Sequence, residues 1–400
     1  MNFTRDQKLR YLEEKHGLSI KYTKHQELED VLEILTVRKP QVSQTLIKGV
    51  AMNLIEKDTN QGKGPGALKS MLQNELILIP WDQMRALVRA LAPEGFLKRQ
   101  PGSKQQDIAR VALVSIGLFH EVSADGHEKL NGQALRMGDI SLPIYGYHDK
   151  WSGYLLKLLV LPDSRNAAPL AHVYLDLIEQ YGGIPMQLTT DKGSEQAWQH
   201  SIQDAFRHLL APQIDPEVYP TCVGLKSPHN TVIESLWNLF QKHTGKTPTE
   251  AILKGQELHI FQPGCFYHGA LFYWVFIPLI QGTLKKFRDH WNYHHVRPQP
   301  EKVNPSGHVP AVVFESLEKY DPDATHCIIQ VPQDMIDDLC RHLEAHPDIG
   351  GCSQFFQWYS GDFNTIAQQA YEAIGSPDIN IATTWEVFRS MSEPIKNLLI

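Results

Sequence analysis

Apolar side chains recur along the first part of the chain at the period of an α-helix. Leu28, Val31, Leu32 and Leu35 fall at i, i+3, i+4 and i+7, which predicts one face of an amphipathic helix inside a largely helical stretch, 3–58. A second helical pattern follows Pro40 through Leu46, Val50 and Leu54. The run Thr59–Gly66, rich in Gly, Asn and Pro, ends it. Beyond lies a pair of short helices, Ala67–Glu75 and Trp81–Leu91, with Pro80 opening the second at its first turn, where a missing N–H costs little. The pair, about 66–92, is helix-turn-helix-like and would carry Gln83, Met84, Arg85 and Arg89 on its second helix. Residues 1–100 are therefore expected to form a helical region. The polar, basic segment around Leu97–Arg110 reads as part of a linker, 101–118.

After Phe119 the period changes from helical to alternating. His120–Ala124 predicts a short strand leading to Asp125-Gly126, and Leu142–His148 with Tyr154–Leu161 predicts a hairpin turning at Asp149–Gly153. Leu170–Tyr181 is an amphipathic helix stopped by Gly182-Gly183. A strand, Met186–Thr190, then ends at Asp191. Glu195–Leu210, Tyr219–Leu225 and Asn230–His243 follow as helix, strand and helix. The order βββαβαβα specifies an α/β layer fold with helices packed on a mixed sheet. Further on, Pro332–His346 carries Met335, Ile336, Leu339 and Leu343 on one helical face, and Phe355, Phe356, Trp358 and Tyr359 form an aromatic group; both read as core.

Composition narrows the class. The 400 residues are 42% hydrophobic and 21% charged, ordinary for a globular protein of two or three domains. The longest apolar run, Ala270–Ile280, is too short to span a bilayer and predicts a buried helix, and the N-terminus lacks a secretory pattern. Five scattered cysteines without a C-x-x-C pair argue for a reducing, intracellular setting and against a disulfide framework or zinc cluster. The net charge of −7 is unevenly spread. Residues 1–118 hold 18 basic and 13 acidic side chains, whereas 301–400 hold 5 and 15. The stretch 311–400 is set apart as an acidic region of unassigned role.

Three acids carry the candidate chemistry. Asp125 and Asp191 each follow a strand and precede a glycine within two positions, so both carboxylates are expected to project from a sheet. Glu234 lies on a helix 43 positions after Asp191, with Asn230 one turn earlier. Carboxylates suit Mg²⁺, which usually takes one or two of them plus substrate phosphates. Two such ions can activate an attacking oxygen and stabilise a leaving one at a phosphodiester.

Six segments together resemble the integrase core family, the DDE strand-transfer enzymes of retroviruses and transposable elements. They are Ser123–Leu130, Tyr147–Gly153, Leu188–Glu195, Ser227–Trp237, Trp291–Pro298 and Pro305–Pro310. The nearest likeness is to integrase core-domain proteins of eukaryotic, notably fungal, genomes. The resemblance covers roughly 119–310 and implies a ribonuclease H-like core preceded by the helix pair and followed by a mostly helical extension. It assigns Asp125, Asp191 and Glu234 as catalytic residues and as metal ligands for two Mg²⁺ or Mn²⁺ ions. Asp149 is the competing first acid. The matching Asp of the family precedes a serine in the hairpin and is not usually a ligand, so Asp149 is given a supporting or turn-capping role.

Asn230 and His229 are further supporting candidates, and Lys226, Arg85 and Arg89 are candidate DNA contacts. The chain departs from the family at Lys192 and Lys150, and it lacks the retroviral His/Cys zinc module. The resemblance implies metal-dependent DNA cleavage and strand transfer by a mobile-element protein or its domesticated descendant. DNA would be the partner, a homo-oligomer the active form, and the nucleus favoured over the cytoplasm, with no membrane association. The alternative is an idle nucleic-acid- or protein-binding module that keeps the fold.

Overall fold

The computed structural model describes residues 5–34, 43–56, 58, 63–92, 115–128, 130, 135, 137–225, 231–299, 304–352 and 356–399. They fall into two compact units, each taken by itself below: residues 1–111 with 293–298 and 307–310, and the remainder. The 97–110 segment lies outside the described residues.

The first unit contains α1 (Arg5–His16), α2 (Tyr22–Val31), α3 (Gln44–Glu56), α4 (Pro65–Asn74) and α5 (Trp81–Leu91). Ile47 and Ala51 of α3, Leu68 and Leu72 of α4, and Met84 and Val88 of α5 bury one apolar core, closed by Ile77 and Ile79 between α4 and α5. Met84 is thus a core residue, which corrects its assignment to a contact face. Gln83, Arg85 and Arg89 lie exposed on α5. The joint between α4 and α5 turns through Leu76 at φ 60°, a left-handed conformation that a branched side chain adopts at some cost. The stripe expected to be buried on α2 is not: Val31 and Leu32 are 77% and 64% exposed. The helix turns His25 and Glu29 inward instead, and Glu29 accepts a charged hydrogen bond from Lys8 at 2.8 Å. Periodicity alone located the stripe without saying which side the neighbours would take. Leu35 lies outside the described residues.

The second unit is built on a five-stranded sheet. In chain order its parts begin with β1 (Gly117–Leu118), β2 (Glu121–His127), β3 (Ile144–Asp149), β4 (Leu155–Val160), α6 (Ala167–Tyr181), β5 (Gly183–Ile184), β6 (Gln187–Asp191) and α7 (Ala197–Leu210). There follow β7 (Cys222–Leu225), α8 (Thr231–Phe240), α9 (Lys246–Glu257), α10 (His268–Tyr293), α11 (Pro310–Glu315), β8 (Thr325–His326) and β9 (Ile329–Gln330). The helices α12 (Gln333–Ala345), α13 (Gly361–Ala373) and α14 (Thr384–Leu399) complete the described chain.

The sheet order is β4-β3-β2-β6-β7. β2 to β4 form an antiparallel meander, while β6 joins β2, and β7 joins β6, in parallel. This mixed sheet with helices on both faces is the ribonuclease H-like α/β fold. Gly182 ends α6 as expected, whereas its start lies three residues before the expected Leu170. Asn166 caps α6 by accepting from the Ala168 N–H at 3.0 Å, and Gly182 ends it at φ 70°.

Alternation along the strands separates the two faces. Val122, Ala124, Tyr145, Tyr147 and Leu188 pack with Tyr174 and Ile178 of α6, Ile202 and Phe206 of α7, and Ile336 and Leu343 of α12. Ile144, Leu158 and Val160 pack on the other face with Ile233, Leu236, Trp237 and Phe240 of α8, with α10, and with Phe363, Phe388 and Met391 of the last helices. The acidic stretch after 310 therefore supplies side chains to both cores: its charges sit outward and its apolar stripes inward. Phe356 joins the first core and Trp358 and Tyr359 the second, while Phe355 lies outside the described residues. The apolar run within α10 is buried in this second core.

Several boundaries differ from the sequence expectation, three of them with a bearing on the site. β2 continues through Asp125 to His127, because its partner β3 pairs with it over the whole length. β7 begins only at Cys222. The helix after β7 passes through a π-turn, Gln241–Gly245, into α9 instead of ending near His243.

Candidate active site

Asp125 sits inside β2, opposite Gly146 of β3. On its other side β2 pairs in parallel with β6, Ser123 beside Thr189. Continuing that register by two residues sets Asp125 beside Asp191, on strands roughly 4.8 Å apart. Asp125 points to the face on which α8 packs, where Trp237 meets it, and Asp191 ends the neighbouring strand β6. Glu234 lies on the first turn of α8, and Trp237, three residues later, shares its face.

The indole N–H of Trp237 donates to Asp125 Oδ2 at 3.0 Å, and the Gly126 N–H donates to Oδ1 at 2.8 Å. The carboxyl group is only 6% exposed. Burial raises its pKa most. The Trp237 hydrogen bond pulls it back, the charges of Asp191 and Glu234 push it up again, and the balance stands at about 7. Asp125 thus feels the charges of both Asp191 and Glu234, although the three come from separate segments.

Close approach of Trp237 depends on Gly146. A Cβ at that position would lie 3.1 Å from Trp237 Cη2 and 3.3 Å from Leu158 Cδ1. His127 stacks on the same indole with ring centroids 4.9 Å apart and shares a 2.6 Å hydrogen bond with Gln241.

Behind Asp191 runs a buried polar ladder. Gln196 Nε2 donates to Asp191 Oδ1 at 3.1 Å. Gln196 Oε1 accepts from the Tyr145 hydroxyl at 2.9 Å and from Gln199 Nε2 at 2.8 Å. Gln199 Oε1 in turn accepts from the Tyr147 hydroxyl at 2.5 Å. These residues were not singled out in the sequence. Their signal was present: Gln196, Gln199 and Gln203 recur at i, i+3 and i+7 beside a strand carrying Tyr145 and Tyr147 two apart.

Asp149 belongs to another place. It pairs with Val122, three residues along β2 from Asp125, roughly 10 Å away. Its carboxylate is fully buried and accepts from the Phe119 N–H at 2.8 Å, the Ser152 N–H at 2.8 Å and the Ser152 hydroxyl at 2.6 Å. The hairpin turn and the chain entering β2 are tied together through it. Lys150, one of the family departures, pairs with Glu121 at 2.6 Å, and Glu121 also accepts from the Thr189 hydroxyl at 3.0 Å. Lys192 is exposed beside Asp191 and packs along Gly224. Arg85 and Arg89 belong to the helical unit, and Lys226, His229 and Asn230 lie outside the described residues.

Carboxylate oxygens are the donors a hard divalent cation prefers, and Asp125, raised first by burial, is raised further by the charges of Asp191 and Glu234. Among the described residues no group of three His, Cys, Asp or Glu side chains is drawn together closely enough to hold an ion alone.

Residues 125–309 match the family model of the integrase core domain, and over that segment the chain is similar to the integrase core family. It is an integrase- or transposase-like protein. A chain of the simian T-cell lymphotropic virus intasome in complex with PP2A regulatory subunit B56 gamma aligns at 12% identity and a TM-score of 0.30. That alignment covers 66% of this chain and 74% of the viral complex's chain. A chain of the Mos1 strand transfer complex aligns at 10% identity and a TM-score of 0.18, over 66% of this chain and 94% of its own. No curated protein matches the sequence. Among the described residues no helix is long and apolar enough to cross a membrane.

Proposed function

We propose that the protein cleaves and joins DNA strands at phosphodiester bonds, with Asp125, Asp191 and Glu234 as ligands for two Mg²⁺ or Mn²⁺ ions. The observation that carries this reading is the parallel register that brings Asp125 next to Asp191 on adjacent strands, with α8, which bears Glu234, packed on Asp125 through Trp237. Bound divalent cations would supply charge neutralisation and activation of the attacking oxygen. The chain's own residues do the positioning. Trp237 and the Gly126 N–H fix the plane of the Asp125 carboxylate, Gln196 fixes that of Asp191, and α8 brings Glu234 to the same face. Each oxygen already holding one donor keeps a second acceptor direction for a ligand. Arg85 and Arg89, exposed on α5, and Lys226 would hold the DNA backbone. Such a protein would work as a homo-oligomer in the nucleus, as a mobile-element enzyme or a domesticated descendant of one.

One observation favours a second reading, a binding module with an idle core. Both Asp125 oxygens are engaged and the group is buried, so the site as it stands invites a proton as readily as a cation. A nicking and strand-joining assay on duplex and pre-nicked DNA, with Mg²⁺ or Mn²⁺, separates the two. Joined product from the wild type and none from Asp191→Asn is expected. Equal inertness of both proteins would remove the enzymatic reading.

A further inference from the structure

The polar ladder behind Asp191 has a direction, and the direction has a consequence. Gln196 and Gln199 are 2% and 0% exposed, and Tyr145 and Tyr147 are buried with them, so every hydrogen bond forgone there would leave a polar atom unsatisfied. The Gln196 carbonyl oxygen accepts from two donors at once, the Tyr145 hydroxyl and Gln199 Nε2. That fixes which end of the amide is oxygen. Its –NH₂ group is turned toward Asp191, where it donates to Oδ1. The Gln199 amide is fixed in the same way, its oxygen taken by the Tyr147 hydroxyl and its nitrogen shared by Gln196 and Tyr145. A neutral N–H is thus presented to one oxygen of Asp191. It holds the carboxylate's orientation without adding the positive charge that a lysine or arginine would bring in competition with a cation.

We propose that Gln196, locked by Tyr145 and Gln199, is a positioning residue that orients Asp191 and raises its affinity for a divalent cation. This rests on Asp191 being a metal ligand, as proposed above. Outer partners of this kind typically account for 10–100-fold in metal affinity. Gln203 offers an internal control. It is equally buried, one turn beyond Gln199 on α7, but its amide donates to the Pro185 carbonyl at 2.8 Å and its oxygen accepts from the Tyr174 hydroxyl.

The test uses the full chain, Mn²⁺ titrated alone with free ion read by electron paramagnetic resonance, and thermal melting without metal. Gln196→Met keeps the side-chain volume and removes the donor, and about a tenfold weaker Mn²⁺ affinity is expected. Gln196→Glu keeps an oxygen for Tyr145 and Gln199 but sets a second oxygen against Asp191, and a comparable or larger loss is expected. Tyr145→Phe leaves Gln199 as the remaining lock and should weaken binding only about two- to threefold. It also covers the case in which the Gln196 variants do not fold. Gln203→Met should lower the melting temperature while Mn²⁺ affinity stays at the wild-type value. Wild-type affinity in both Gln196 variants, with Asp191→Asn still impaired, overturns the proposal and leaves the metal reading standing. Equal losses in Gln196→Met and Gln203→Met overturn it as well, since both would then report general softening. Wild-type affinity in Asp191→Asn overturns the metal reading of Asp191 and the proposal with it.

Discussion

Two buried aspartates share one pair of strands and do opposite things. Asp149, at the end where β3 turns toward β4, accepts three hydrogen bonds from backbone and serine donors. Asp125, three residues away along the register, accepts two and sits within reach of two more carboxylates. Burial raises the pKa of both, Asp149 to about 6 and Asp125 to about 7. At Asp149 only donors answer that penalty, so the group serves the fold. At Asp125 the neighbouring acids add to it, so the group is left with an unmet demand that a cation or a proton would answer. Equal burial on one sheet therefore does not mean equal purpose; what surrounds the carboxylate decides.

The sharpest way to break this contrast is Asp149→Ala. It leaves three donors at a buried turn without an acceptor, and a loss of about 3–5 kcal/mol in unfolding free energy is expected. Chemical denaturation checks it; a change under about 1 kcal/mol would deny Asp149 its structural role.

The pH dependence comes next. A carboxyl group whose folded pKa lies above its unfolded value binds more protons when folded, so stability falls as pH rises through that interval. For Asp125 the interval runs from the ordinary carboxyl value, 3.8, to about 7. Without divalent metal, the wild type should therefore melt at a higher temperature at pH 5 than at pH 8. Asp149 adds to this fall with the same sign up to about pH 6. Asp125→Asn should flatten the upper part of the curve, by about 2–4 kcal/mol across the interval. An unaltered slope in that variant would show that the raised group lies elsewhere.

The smallest effect is expected at Gly146→Ala. The new methyl would press on Trp237 and Leu158 at 3.1 and 3.3 Å, costing about 1–3 kcal/mol. Because the indole is Asp125's donor, its near-ultraviolet circular dichroism should change as well. A neutral substitution with unchanged indole signal would mean that the close approach is not needed.

Much of this was legible in the sequence. The change of period at Phe119, the strand and helix order, and the capping by Asn166 and Gly182 are local properties, set by side-chain alternation and backbone preference. Asp125, Asp191 and Glu234 were legible as an ordered set because each lies in its own short motif. Three things were not local. Whether the stripe on α2 faced in or out depended on which neighbours reached it, and His25 and Glu29 took the inner side. Whether Met84 touched a partner or a core depended on α3 and α4 closing over it. That Trp237 holds Asp125 depended on side chains 112 positions apart in the chain meeting in space. By itself, then, the sequence determined the fold class and marked the three acids as candidates. Only the tertiary structure decided which aspartate is satisfied and which is left in demand, because the pairing of donors with buried carboxylates is settled by packing across elements and not by the residues flanking either one.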